Sequence, residues 1–137
     1  GDGDELVATF GVMGGFMQPQ GHVQVLLNML LHDMDPQAAL DFPRLRVEAA
    51  LIGARGALQN PRCAHKEAGE LHVEEGIPEE TLAALRNFGH RVVGPVKGAA
   101  RRDFGKGQII QVKRDEGGAR VLWAGSDGRG DGMALGH

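Results

Sequence analysis

The pattern of apolar and polar residues in the first quarter of the chain predicts a strand, a tight turn and a helix. Residues 6–13 are apolar nearly throughout, which is typical of a strand that is buried on both faces. A turn at residues 14–18 follows, and Pro19 suits a first helical position, where a missing N–H costs nothing. The next apolar residues recur with i, i+3, i+4 spacing and predict one broad buried helix face, made of Val23, Leu26, Leu27, Leu30, Leu31 and Met34.

Two further helices are predicted downstream. Asp35 as the N-cap and Pro36 at the first position begin a short helix, and Pro43 ends it because the residue before a proline avoids helical dihedrals. A third helix opens over residues 76–80, and Gly89 fits the position just past its end. Its buried stripe is predicted to consist of Leu82, Leu85 and Phe88.

The remaining segments read as short strands and loops. Strands are predicted over residues 6–13, 44–52, 71–75, 91–96, 107–113 and 119–124, and the last two form a hairpin through residues 115–118. Loops are predicted over residues 53–69 and over the basic, glycine-containing stretch 97–106. This order predicts an α+β fold in one domain over residues 1–137, with helices packed on a mainly antiparallel sheet.

Composition narrows the class of protein only a little. The 137 residues carry a net charge of −3, and the one basic run has no interleaved aromatic residues, so nucleic acid is not an expected partner. No apolar run reaches the roughly 18 residues of a membrane span. The opening Gly1-Asp2-Gly3-Asp4 looks like a turn cut from a longer sequence, so the compartment, cytoplasm or periplasm, stays open.

Candidate catalytic groups are few. No serine, threonine or cysteine stands in a recognisable nucleophile motif. The spacing of Cys63, His65 and His72 matches no zinc pattern, so no metal site is predicted, and no cofactor is predicted either. His22 at a helix start is expected to be a structural donor and not a catalytic base. The chain by itself therefore looks catalytically incomplete.

The glycine pair Gly14-Gly15 offers a different kind of chemistry. Paired glycines let backbone N–H groups approach a ligand, and a helix N-terminus just downstream adds unpaired N–H groups and a positive dipole end. Such a turn could bind an oxyanion. The alternative is a tight turn in which no Cβ fits, and spacing alone leaves both interpretations open.

Several segments resemble one enzyme family in the same order. The main ones are FGVMGG at residues 10–15 and QPQGHVQVLLN at residues 18–28. Further segments are DFPR at 41–44, VEEGIP at 73–78 with Gly89-His90, and GSDGR at 125–129 with Asp131-Gly132. Together they resemble the gamma-glutamyltranspeptidases, and most of all their bacterial gamma-glutamyltranspeptidase-like acylase branch.

The resemblance implies an N-terminal-nucleophile hydrolase with an αββα sandwich. Such a precursor cuts itself, and the new N-terminal Thr of its small subunit attacks a gamma-glutamyl amide. This chain would be the C-terminal segment of that small subunit, inactive alone, with the Thr upstream. Its partners would be the large subunit, the rest of the small subunit and a small-molecule substrate.

The resemblance also assigns site residues. The paired glycines of the family correspond to Gly14 and Gly15 as oxyanion donors, and Phe16 joins them in substrate binding. Phe16 replaces the usual Ser, and Gly128 replaces a Pro. Two alternatives stay open, namely an acylase of the same fold acting on another short acyl amide, and a non-catalytic binding domain. Asp127, Arg129 and Asp131 are expected to fix the C-terminal turn with charge-assisted bonds.

Overall fold

The computed structural model describes residues 5–48 and 69–136. The chain divides into two compact units, the first made of Gly1–Phe42 with Ala99–His137 and the second of Pro43–Gly98. The helices of the described residues are α1 (Gln18–Leu31), α2 (Pro36–Asp41) and α3 (Glu79–Asn87). The strands are β1 (Ala8–Met13), β2 (Leu45–Glu48), β3 (Glu70–Glu74), β4 (Arg91–Val96), β5 (Lys106–Arg114) and β6 (Arg120–Ser126). The single domain expected from the sequence stays a prediction.

The first unit is built on an antiparallel sheet in the order β1-β5-β6. The predicted hairpin of β5 and β6 is confirmed, and one side chain closes it. Oδ1 of Asp115 accepts the backbone N–H groups of Gly117 and Ala119 at 2.9 and 2.8 Å. An aspartate that bonds its own turn in this way explains why four polar and glycine residues suffice for the connection.

Helices α1 and α2 pack on one face of this sheet. Asp35 caps α2 as predicted, because its Oδ1 accepts the N–H of Ala38 at 2.9 Å. At Gly125 an added Cβ would lie 2.7 Å from the carbonyl carbon of Pro36, so α2 rests against the backbone of β6. The core between the layers consists of Val12, Val25, Met29, Ala39, Leu40 and Ile109.

The predicted buried face of α1 is wrong for five of its six residues, whereas the sixth, Met34, is partly buried and packs against the core. The side that meets the sheet is formed by Gly21, Val25, Asn28 and Met29. The side chains expected to be buried are 36–70% exposed, namely Val23, Leu26, Leu27, Leu30 and Leu31. The reason lies at Gly21, where a Cβ would come within 2.8 Å of Val12 Cγ1. The helix approaches the sheet most closely where it has no side chain, and that contact sets its rotation.

The second unit carries the sheet order β2-β3-β4. Strands β2 and β3 are antiparallel, whereas β3 and β4 are parallel and joined through α3. The other three strand pairs of the described residues are antiparallel, so the strand pairing is mainly antiparallel, as predicted. The core of this unit is Leu71, Val73 and Leu82. The segments DFPR at 41–44 and VEEGIP at 73–78 meet in this unit through two hydrogen bonds. Glu74 Oε2 accepts the N–H of Arg44 at 2.7 Å, and the Glu74 N–H donates to the Arg44 carbonyl at 3.0 Å.

Two local predictions need correction. Phe88 is 80% exposed and not part of the α3 stripe, because the helix ends there and the chain reverses at Gly89, with φ of 92°. The N–H groups of Gly89 and His90 donate to the carbonyls of Arg86 and Leu85 at 2.9 and 3.1 Å, which closes the helix end.

The stretch 97–106 was predicted to be a basic loop. It contains a 3-10 helix over Gly98–Phe104, whose Phe104 is buried.

Candidate functional site

The turn between β1 and α1 has a backbone that only glycine adopts readily. Gly14 has φ of 147° and Gly15 has φ of 57°, both in the left-handed region. Gly15 then begins a 3-10 helix, Gly15–Met17, which runs directly into α1. The Met17 N–H donates to the Gly14 carbonyl at 3.0 Å and fixes the sharp bend. The double glycine is thus required by the geometry of the turn.

Gly14 and Gly15 are both exposed, and their N–H groups have no acceptor in the described part of the chain. Among residues 5–48 and 69–136, no backbone carbonyl and no capping side chain accepts the N–H of Gly14 or Gly15. A Cβ on Gly15 would meet nothing within 4 Å, whereas a Cβ on Gly14 would lie 3.0 Å from the Cα of Gly105. The turn is therefore backed by protein at Gly14 and faces open space at Gly15. That arrangement, at the start of a helix, suits an anion.

Phe16 follows the pair directly and is 99% exposed. An exposed phenyl ring at this point is an apolar surface next to the two N–H groups. The structure thus places the three residues named from the sequence in one turn. It gives no role to Phe16 by itself.

His22 uses both of its ring nitrogens within the protein. Nδ1 lies 2.5 Å from the Gln18 carbonyl oxygen, which can only accept, so Nδ1 carries the hydrogen. Nε2 lies 3.3 Å from the Val12 backbone nitrogen and accepts its N–H. No lone pair is left for proton abstraction. The expectation that His22 is structural agrees with this geometry.

A cleft of about 580 Å³ runs beside β1. Its polar side chains are Gln18, His22, Lys106, Gln108, Asp127 and Asp131. Lys106 and Gln108 were not predicted from the sequence, because only the pairing of β1 with β5 sets them opposite Met13 and Gly11. No local pattern carries that register, so the signal lies in the sheet topology.

Asp127 and Arg129 form a buried structural pair. Arg129 Nη1 donates to Asp127 Oδ1 at 3.1 Å and to the Leu40 carbonyl at 2.6 Å, and Nη2 donates to the Phe42 carbonyl at 3.0 Å. Asp127 Oδ2 accepts the N–H of Gly107 at 2.8 Å. The pair ties the C-terminal segment to β5 and to the end of α2, where carbonyls lack helical partners.

The sequence also predicted that Asp131 fixes the C-terminal turn with a charge-assisted bond, and this prediction is wrong. This residue is exposed and borders the cleft, and within the described residues its carboxylate has no hydrogen bond to the protein. The reason is that the Arg129 guanidinium is already engaged by Asp127 and two carbonyls.

Of the three residues closest to a metal-ligand pattern in the sequence, only His72 lies in the described part of the chain. Cys63 and His65 lie outside the described residues, and His72 Nε2 lies 3.1 Å from Glu70 Oε2 and 3.2 Å from Glu48 Oε2. Within residues 5–48 and 69–136 no three His, Cys, Asp or Glu side chains are grouped as a metal would need. No helix of the described ranges has the length and apolar content to cross a membrane.

Comparison with known proteins decides the family. The family model described as gamma-glutamyltranspeptidase matches residues 2–137. The chain belongs to the gamma-glutamyltranspeptidase family. It is 33% identical over 129 residues to the glutathione hydrolase-like YwrD proenzyme of Bacillus subtilis strain 168, and this match covers 93% of the chain but 21% of that protein.

Solved structures of the gamma-glutamyltranspeptidase family and of a related acylase share the fold. Cephalosporin acylase from Bacillus halodurans matches with a TM-score of 0.69 and 35% identity, over 98% of this chain and 21% of that one. Gamma-glutamyltranspeptidase from Helicobacter pylori matches with a TM-score of 0.66 and 22% identity, over 94% of this chain and 57% of that one, which shows the fold alone. The predicted family and the α+β, N-terminal-nucleophile hydrolase fold are confirmed. The chain spans about a fifth of the length of its curated relative.

Proposed function

We propose that this chain is the C-terminal part of the small subunit of a gamma-glutamyltransferase-like N-terminal-nucleophile hydrolase, and that it supplies the oxyanion-binding turn. The observation that carries the proposal is the geometry of Gly14 and Gly15. Their N–H groups lack acceptors within the described residues, and the side at Gly15 is open. Membership of a family of hydrolases and transferases supports the reaction class.

The chemistry assigned to the turn is electrostatic. In the proposed reaction, the hydroxyl oxygen of an upstream N-terminal Thr attacks the carbonyl carbon of a gamma-glutamyl amide, with the Thr amino group taking the proton. Negative charge then develops on the carbonyl oxygen, where the two glycine N–H groups and the start of α1 stabilise it. The amine leaves with the proton, and water or an amino acid takes the acyl group from the Thr.

The rest of the precursor is the proposed partner. The outer stripe of α1 is apolar and exposed, and so is the sheet face opposite α1 and α2, where Met13, Ile110 and Leu122 are 42–62% exposed. Apolar patches of this kind mark surfaces that another protein segment covers. The upstream large subunit and the remainder of the small subunit are the segments that would cover them. No cofactor enters the proposed reaction.

A second candidate is an acylase of the same fold that acts on another short acyl amide. The exposed phenyl ring of Phe16 favours it, because an apolar surface beside the oxyanion turn suits an acyl group without the charged end of glutamate. The 35% identity to a cephalosporin acylase supports the same candidate. The two candidates share the turn and differ in the acyl group.

Expression of the complete reading frame tests the proposal. We expect self-cleavage into two subunits, with a Thr at the new N-terminus by mass spectrometry. The processed enzyme should release aniline from gamma-glutamyl anilide, or faster from other short acyl anilides if the second candidate holds. A full-length protein that stays uncleaved and hydrolyses none of these would contradict both and indicate a binding domain.

A further inference from the structure

The imidazole of His22 joins the two elements that flank the glycine turn. Nε2 accepts the N–H of Val12 in β1 at 3.3 Å, and Nδ1–H donates to the Gln18 carbonyl in the first turn of α1 at 2.5 Å. Gly14 and Gly15 lie between these two anchor points. The side chain therefore closes a short loop around the proposed oxyanion donors.

The position of the strand explains why an imidazole is needed there. Strand β1 is at one end of the order β1-β5-β6, so alternate N–H groups of β1 face away from β5. The N–H of Val12 is one of these, and the ring takes the place that a neighbouring strand would fill. Without the ring, this partly buried N–H would lose its acceptor, which is unfavourable, and the hydrogen bond that joins β1 to α1 would be lost.

The packing around the ring holds it in one orientation. The Phe10 ring lies 5.7 Å from the imidazole, centroid to centroid, at an interplanar angle of 56°. Gly21 brings the helix so close that a Cβ would lie 2.8 Å from Val12 Cγ1. The two bonds select the tautomer with its hydrogen on Nδ1. Strand, ring and helix thus form one rigid contact.

A rigid contact matters because the turn itself is flexible. Two consecutive glycines have more accessible backbone conformations than any other pair, and catalysis by fixed N–H groups depends on their not reorganising. We propose that His22 is a positioning residue that holds the Gly14 and Gly15 N–H groups in place, an inference that rests on the proposed function of that turn. His22 touches no reacting atom, and it acts through the backbone that it joins.

Three substitutions in the processed full-length enzyme test this inference. His22→Ala removes both hydrogen bonds. His22→Gln keeps an acceptor at about the same distance from the backbone as Nε2, and His22→Asn keeps a donor near the position of Nδ1. A misplacement of about 1 Å can cost on the order of a hundredfold in rate. We expect His22→Ala to lower kcat by roughly tenfold to a hundredfold with an unchanged KM, and His22→Gln to restore part of the loss.

Controls separate the possible outcomes. His90→Ala changes an exposed histidine after α3 and should leave kcat unchanged. If His22→Ala lowers only the melting temperature while kcat per active site stays normal, His22 is merely structural and the inference is overturned. Gly15→Val is measured in parallel. If Gly15→Val loses turnover while all three folded His22 variants keep normal turnover, only the inference about His22 fails. If Gly15→Val also keeps normal turnover, the proposed function of the turn fails. Should His22→Ala not fold, the Gln and Asn variants decide by the same comparison.

Discussion

Replacing Arg129 by Ala should destabilise the protein far more than it alters substrate binding. Arg129 is 5% exposed, and its guanidinium bonds Asp127, the Leu40 carbonyl and the Phe42 carbonyl at 2.6–3.1 Å. Its loss leaves a fully buried carboxylate without its cation and two carbonyls without these donors. Breaking a buried ion pair from one side costs about 3–5 kcal/mol. We therefore expect the free energy of unfolding of the full-length enzyme to fall by about that amount.

A matched arginine shows what an exposed ion pair contributes. Arg114 bonds Glu5 at 2.5 Å in the same unit, but both side chains are more than half exposed. Surface pairs of this kind contribute about 0–1 kcal/mol, so Arg114→Ala should change stability little. Urea unfolding and steady-state kinetics on the same preparations provide both readouts. The reasoning is refuted if Arg129→Ala keeps wild-type stability and mainly raises KM, because Arg129 would then contact the substrate.

Three further predictions concern the proposed partner segments of the same precursor. The purified 137-residue chain should not hydrolyse gamma-glutamyl anilide, because the proposed nucleophile lies upstream, and clear turnover would contradict this. The same chain should self-associate in sedimentation, because it exposes apolar helix and sheet surface. A well-behaved monomer would contradict that second prediction. In the full-length precursor, Leu30→Glu on the outer stripe of α1 should reduce the yield of assembled subunits in size-exclusion chromatography, whereas Glu80→Gln on the exposed side of α3 should not. Normal assembly of the Leu30→Glu variant would show that this stripe stays in solvent.

Local signals in the sequence were sufficient for much of the fold. The Asp35-Pro36 start of α2, the Asp115 hairpin and the span of β4 follow from capping, turn chemistry and alternation within a few residues. Phe88 shows the limit of such signals. Its spacing fits the α3 stripe, but the helix ends at that residue.

The rotation of α1 could not be predicted in the same way. The helix is apolar on two sides, and periodicity cannot tell which side meets the sheet. Gly21 decides it through its contact with Val12, which is a long-range contact. The same reason applies to Lys106 and Gln108, which reach the cleft only through the register of β1 with β5.

The candidate site was predicted in part. Resemblance to the family pointed to Gly14 and Gly15, and the strand-turn-helix pattern around them is present in the structure. A structural role for His22 was expected from its place at a helix start. That it bridges to Val12 required the three-dimensional contact, because a bond to β1 across ten residues leaves no local pattern.

The central claim, that Gly15 helps to bind the oxyanion, is open to a controlled substitution. Gly15 has φ of 57° with nothing within 4 Å of an added Cβ, and Gly98 has the same φ and the same open space. Each begins a 3-10 helix. Gly15→Val and Gly98→Val therefore impose similar backbone strain, but only the first lies at the proposed site.

Steady-state kinetics and melting curves of these two variants in the processed full-length enzyme give the most direct test. Loss of one oxyanion donor typically costs about 2.7–4 kcal/mol, or roughly a hundredfold to a thousandfold in turnover. We predict that Gly15→Val stays folded and loses kcat on that scale, because the side chain blocks the acyl group or turns the N–H away from it. Gly98→Val should melt at a similar temperature and keep its kcat. Near-normal turnover in a folded Gly15→Val enzyme would contradict the account and leave the glycine pair as a tight turn.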